Sequence, residues 1–367
     1  MHSGHETNSS NFFWLLAAIA SGVLIGGCAT VGPATINNGR LSYNEAIIAT
    51  DNQQILMLAV HSRYEERGNL LAVSSVTANV RVRTSASVEL GFGDESNYAG
   101  NLVPFGATAM YEENPTISYT PVGGAKYMRQ LFAPIPVNIL AELASGMTNP
   151  APLFTALLSS VNGIYNPDFL TTTVEPDPRF ARLVTLMDTL ATAHRIHWIR
   201  DPNASVSTSI VIDRSSPGFD NEIGELLSLL GLTVINDDTQ FVVLPVALAL
   251  VGRQSDGIAI TTRSVWDLLE ILSAAIDVPE DDRRNNVAAS YPPPGLPGSA
   301  LRVHLADSKP DKAYVAVEHR GHWFYIDESD QATKRFFRLV GALFSVVIAE
   351  SAADISSAPV LTVPVSR

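Results

Sequence analysis

Cysteine is almost absent from this chain: Cys28 is the single one among 367 residues. An intramolecular disulfide is therefore excluded, and so are the cysteine-rich zinc ligand sets. Charge is also sparse, with Asp, Glu, Lys and Arg making up 17% of the residues and a net charge of -13. Lys and Arg form no cluster, so the phosphate contacts on which nucleic-acid affinity depends have no donor set, and no nucleic-acid partner is expected. The signatures of common chemistries are missing too. The chain contains no G-x-S-x-G, no G-x-x-x-x-G-K-[ST] and no H-E-x-x-H. Gly91-Phe92-Gly93 is a fragment of a dinucleotide fingerprint that follows a strand pattern and opens no helix. What is present is ordinary globular material, 46% hydrophobic. The length suggests about two domains with a core that needs no covalent staples.

The longest apolar run covers residues 12–27, FFWLLAAIASGVLIGG, and at 16 residues it falls short of a membrane-crossing helix. That length suits a signal peptide over residues 1–27, although residues 1–11 carry no Lys or Arg, where such a segment is normally positive. A non-cleaved apolar anchor and a misplaced start codon are the alternatives. The run ends in Leu24-Ile25-Gly26-Gly27-Cys28, which resembles the lipobox of bacterial lipoproteins. The resemblance implies that Cys28 would be acylated and become the first residue of the mature protein, with Ala29 after it pointing to the outer membrane. Several acyl chains suffice for stable anchoring where one does not.

Beyond Cys28, a Gly/Pro/Asn-containing tether is expected over 28–41 and a first domain over 42–175. Ser42-Tyr43-Asn44-Glu45 has the spacing of a capping box, predicting a helix that starts there, carries Ile48, Ile55, Leu58, Ala59 and Ser62 on one face, and ends by Gly68. Residues 80–92 alternate with period two and a second run follows to Tyr111, predicting a long hairpin over 80–111. Thr116–Tyr119 continues the strand pattern, and helices are expected over 125–132 and 137–158, interrupted by prolines. Asp177-Pro178 opens a helix with the stripe Phe180, Leu183, Val184, Met187 and Leu190, and with it a second domain over 176–367. There the pattern predicts strands at 206–212, 232–235, 241–250, 258–261, 301–305 and 360–365. Helices are predicted at 221–230, from Ser264 to Pro279 and at 331–349, with a hairpin over 313–327. Residues 280–299 look like an exposed, mobile loop. The fold class is α+β: an N-terminal helix plus long hairpin, then a mixed α/β sheet with helices.

Four segments carry a further likeness: Thr116–Pro121, Leu131–Pro136, Arg320–Asp327 and Val360–Val365. They resemble uncharacterised lipoproteins of Gram-negative bacteria over most of the mature length. The likeness strengthens the envelope assignment and implies no activity and no functional residue beyond Cys28.

Six histidines follow residue 27, and four of them stand in a repeated phrase, His194-Arg195-Ile196-His197-Trp198 and His319-Arg320-Gly321-His322-Trp323. A two-residue turn at Arg320-Gly321 would set His319 against His322, and His194 with His197 at a helix end would add two more nitrogens for zinc. Packed, hydrogen-bonded histidines are the alternative, and no cofactor follows from the sequence alone. Asp237-Asp238 and Asp327–Asp330 lack the spacing of a calcium loop and suit solvated turns.

The function these patterns support is a lipid-anchored lipoprotein of the bacterial cell envelope, held at the outer membrane with its mature part in the periplasm. Its role would be structural or binding, in an assembly with protein partners or as a homo-oligomer, with no enzymatic activity identified. The alternatives are an oligomeric pore or secretion-channel subunit using the 80–111 hairpin, and a hydrolase or metal-binding enzyme.

Overall fold

A computed structural model of the chain describes residues 28–77, 80–87, 106–113, 116–171, 173–201, 203, 207–232, 239–248, 257–352 and 361–364. The expected signal segment and the strand at 232–235 beyond its first residue lie outside the described residues. Two compact units divide between Gln54 and Ile55, within helix α1 (Cys28–Arg63). The expected helix start at Ser42 is not observed, since Ser42 and Glu45 lie in the helix interior and α1 also takes in Gly32, Pro33 and Gly39. An S-x-x-E spacing puts both side chains on one face wherever it occurs, and the propensity cost of Gly or Pro is a weak prior. The expected apolar stripe is buried only from Ile55 onward: Ile48 is 52% exposed, whereas Leu56, Ala59 and Val60 are fully buried.

Strand β1 (Leu70–Thr77) was not expected, because its continuous Leu-Leu-Ala-Val opening lacks alternation. Two more strands, β2 (Val80–Ser87) and β3 (Gly106–Glu113), form an antiparallel ribbon of their own, from Val80 opposite Glu113 to Ser87 opposite Gly106. The hairpin expectation is met in that pairing, while residues 88–105 lie outside the described chain. Strand β4 (Thr116–Val122) pairs with β1 on one side and, on the other, with β14 (Leu361–Pro364). Prolines divide the next stretch into α2 (Ala125–Phe132), α3 (Val137–Ser145) and α4 (Ala151–Leu157).

The main sheet has six strands: β5 (Leu158–Val161), β6 (Ile164–Tyr165), β7 (Ile196–Arg200), β8 (Thr208–Asp213), β9 (Phe241–Leu248) and β10 (Ile258–Thr262), in the order β6-β5-β10-β9-β8-β7. The β9–β10 pair is parallel and the others are antiparallel. The sheet takes strands from both sides of the expected boundary at 175/176. Asp177 accepts the Arg179 backbone N–H at the start of α5 (Pro178–Thr192), as its sequence predicts. Gly231, at φ 64°, closes α6 (Asp220–Leu230) in the left-handed conformation that glycine tolerates. Phe180, Leu183, Leu190, Leu226 and Leu230 from these helices join Ile210, Ile212, Val246 and Ile260 of the sheet in one buried core. On β9 the side chains of Phe241 and Val243 alternate out of that core, each more than half exposed.

Helix α7 (Val265–Ala274) carries the predicted capping box, with Ser264 and Asp267 bonding each other's backbone N–H. Before it, Arg263 is buried to 1% exposure; its guanidinium donates to the carbonyls of Thr155, Ala156, Leu158 and Asn166 and to the Asp168 carboxylate. The expected mobile loop at 280–299 is instead pinned. It contains α8 (Glu280–Arg284), and backbone hydrogen bonds of 2.7 Å link Ala289 to Arg63, Leu170 to Pro293 and Gly295 to Asp168. A mixture of Pro, Gly and charge marks irregular backbone, which need not be loose backbone. Strands β11 (His304–Ala306), β12 (Ala313–His319) and β13 (His322–Asp327) form a small antiparallel sheet, and α9 (Gln331–Ala352) buries Phe337, Val340 and Phe344. No helix among the described residues is long and apolar enough to cross a membrane.

Candidate functional site

Two local chain reversals bring ligating side chains together. At the end of α1, Glu65 takes φ 54°, its N–H bonds Ser62 O, and the Glu66 N–H reaches back to His61 O at 2.8 Å. These are the two bonds of a Schellman closure, which folds the residue after the left-handed position back against the last helical turn. Glu66 is thereby carried toward His61. The second reversal is the β12–β13 turn, where Arg320 and Gly321 have φ 51° and 78°, the signature of a type I′ hairpin. It ends β12 at His319, with His319 and His322 as register partners.

His61, Glu66 and His319 form a group whose ligating atoms all lie within 4.8 Å of one another. The two imidazoles meet edge to face with ring centroids 5.2 Å apart, and Tyr64 stands at the same distance from His319. Nε2 of His319 lies 3.2 Å from Oε2 of Glu66 without forming a hydrogen bond to it, and both that nitrogen and Nδ1 of His61 are shielded from solvent with no hydrogen-bond partner among the described residues. Buried polar atoms left this way are uncommon and costly. The other carboxylate oxygen of Glu66 accepts two bonds from Arg320, at 3.1 Å from Nε and 2.9 Å from Nη2. The Arg320 guanidinium in turn lies 5.0 Å from the centre of the Tyr64 ring, whose hydroxyl donates to Asp282 at 2.8 Å.

Protonation follows from these neighbours. Burial acts most strongly on His319 and pushes it below the ordinary histidine value, against the pull of Glu66, so the ring is neutral near pH 7 and its nitrogen is available as a ligand. Glu66 feels burial pushing it up, but the Arg320 hydrogen bond and the charges of His319 and Arg320 together hold it below the ordinary carboxylate value. Burial, followed by the bond to Asp282, pushes the Tyr64 hydroxyl up and keeps it protonated. The site thus offers two ring nitrogens and one anionic oxygen, a donor set that suits a borderline divalent cation.

Of the four histidines marked by the repeated phrase, only His319 belongs to this group. His322 turns to Asp307, with Nδ1 3.2 Å from Oδ1. His194 occupies a left-handed turn at φ 56° after α5 has ended, and His197 lies on β7, so the expected helix-end pair is corrected to a turn and a strand. The β-branched and aromatic run Ile196-His197-Trp198-Ile199 suits a strand, and a positive φ cannot continue a helix. Both residues are exposed and border a cavity of about 400 Å³ with Met187 and Trp198. Among the described residues no metal-competent group joins the two phrases. His61 and Glu66 were not singled out by sequence. Their one local signal was a helix end, and the left-handed position there is held by Glu65 instead of glycine.

No family model, curated protein or solved structure matches this chain. The reading of the site therefore rests on its own geometry.

Proposed function

We propose that the Ile55–Arg367 unit binds a divalent cation, zinc being the best match, through His61, Glu66 and His319. The observation that carries this reading is the pair of shielded, unpartnered ring nitrogens beside a carboxylate. Ligands on a tetrahedral zinc ion stand roughly 3.3 Å apart, given metal–ligand bonds of about 2 Å. His319 and Glu66 already stand at 3.2 Å. Arg320 serves as the outer support that orients the carboxylate. The ion would tie the end of α1 to the β12–β13 turn, so its role is a structural clamp whose binding energy adds to folding stability. Calorimetric titration of the metal-free protein with zinc, beside His61→Ala and His319→Ala, tests this. One zinc per chain, lost in both variants, is the expected result; a parent that takes up none, or variants that keep it, would refute the reading.

The cation-binding unit belongs, in this proposal, to a lipid-anchored envelope lipoprotein with a structural or binding role at the outer membrane. The support is the 12–28 segment ending in Cys28 and the likeness to Gram-negative lipoproteins described above. Membrane fractionation with palmitate labelling decides it, since Cys28→Ser should abolish labelling and release the protein from the outer-membrane fraction.

A second reading, homo-oligomerisation or a pore through the ribbon, is favoured by one observation: β2 and β3 share no sheet with any other described strand. A two-stranded ribbon is marginal alone and its open edges invite further strands. Mass photometry of the detergent-extracted protein separates a ring from a monomer.

A further inference from the structure

Helices α3, α4 and α9 and the 296–301 segment line a cavity of about 720 Å³. That size lies within the ~300–1,000 Å³ of small-molecule sites. Its walls are mostly apolar, with Leu143, Met147, Leu153, Leu301, Phe336 and Leu339 among them. Met147 and Leu296 on its border are 38% and 45% exposed, so apolar surface faces the opening. Charge at the cavity has one sign only: Arg335 and Arg338 border it, and no Asp or Glu does.

These arginines stand three apart on α9, hence on the same face, where like charges repel mildly. Both are exposed, and neither makes an ion pair or hydrogen bond with a described residue. In a chain of net charge -13 with abundant carboxylates, a paired and uncompensated cation site next to an apolar cavity calls for an anion that comes with its own apolar part. Guanidinium forks match carboxylates bidentately.

We propose that this cavity binds one long-chain fatty acid, its carboxylate held by Arg335 and Arg338 and its alkyl chain lying between α4 and α9. The proposal is independent of the metal clamp, whose residues do not line the cavity.

The test is native mass spectrometry and calorimetry of the full chain with palmitic acid, its methyl ester and a lysophosphatidylcholine. Palmitate should bind one to one. The double variant Arg335→Gln/Arg338→Gln should weaken palmitate at least tenfold while leaving methyl-ester binding unchanged. Ala342→Trp, at an exposed position on the cavity wall, should block both ligands. The proposal is overturned if the double variant binds palmitate like the parent, if the ester or the lysophospholipid binds better than the acid, or if no ligand binds. Should Ala342→Trp fail to fold, the arginine pair alone decides, because both side chains are exposed and bond no described residue, and their replacement leaves the core intact.

Discussion

Arg320 donates two hydrogen bonds, at 3.1 and 2.9 Å, to one carboxylate oxygen of Glu66 across 254 positions of chain, and that pair of bonds fixes which oxygen faces His319. A hairpin turn and a helix end thereby act as one unit. Removing the donor leaves the ligands in place but lets the carboxylate rotate. Arg320→Gln should therefore weaken zinc binding by about 10- to 100-fold, the usual cost of losing an outer support. Competition against a chelating dye measures it. Unchanged affinity would show that Arg320 does not orient Glu66.

Arg263 is the most heavily bonded buried side chain described, with four carbonyls and Asp168 around it. Burial acts first on Asp168 and pushes its carboxyl up, outweighing the pull of Arg263. Replacing Arg263 with Met strands a carboxylate and several carbonyls together and should cost about 3–5 kcal/mol. Urea unfolding checks this; a loss below 1 kcal/mol would mean that water replaces the guanidinium.

Asn162 occupies the β5–β6 turn at φ 47° and joins three segments. Its amide donates to Leu230 O at 2.9 Å and to Gly257 O at 3.3 Å, and its side-chain oxygen accepts from the Ala259 N–H at 2.7 Å. Asn162→Ala removes all three and places alanine in a left-handed conformation, so a loss of about 1–3 kcal/mol is expected from the orphaned groups. Asn162→Gly relieves the backbone cost alone and should recover only the smaller part. Equal stability of the two variants would refute the role of the backbone.

Gly295 lies where a Cβ would stand 2.1 Å from the carbonyl oxygen of Pro167, and backbone cannot step aside as a side-chain tip can. Gly295→Ala should lift the 293–298 segment off Asp168 and cost about 1–3 kcal/mol. Hydrogen exchange should report faster opening at the Gly295 amide, which now bonds Asp168 O at 2.7 Å. An unchanged exchange rate there would count against the pinned loop.

Asp177 caps α5, and its hydrogen bond from the Arg179 side chain, aided by the Arg179 backbone N–H, holds the carboxyl below its ordinary value of 3.8. A lowered folded-state pKa means that the unfolded chain binds the proton more readily, so the stabilisation is present above pH 3.8 and is lost as pH falls through the lower folded value. Asp177→Ala should cost about 1 kcal/mol at pH 7. In thermal melts taken from pH 6 downward, the gap between parent and variant should close below pH 3.8; a constant gap would show that charge plays no part in the cap.

Local chemistry was readable wherever a few consecutive residues decide the backbone. Asp177-Pro178, Ser264 with Asp267, Gly231 and Arg320-Gly321 each specify a cap or a turn through their own dihedrals and side-chain hydrogen bonds, and each is found where the sequence puts it. The α+β class follows from the same patterns. Periodicity misleads where the environment is asymmetric: β1 opens with an unalternating run, and β7 begins with a phrase that continues a helical stripe until the positive φ at His194 ends it. Strand order was beyond reach, because the joining of β5 to β10 and of β4 to β14 is a matter of long-range pairing that no local window holds.

The candidate site divides the same way. The sequence by itself pointed to the hairpin turn that follows His319, since Arg320-Gly321 between two strand patterns suits a two-residue turn. Only the tertiary structure decided that His319 joins His61 and Glu66 in one ligand group, while His322 turns to Asp307 and the His194–His197 pair lies elsewhere. Ligand convergence depends on where a helix end and a distant hairpin come to rest, and that is set by burial of the core between them.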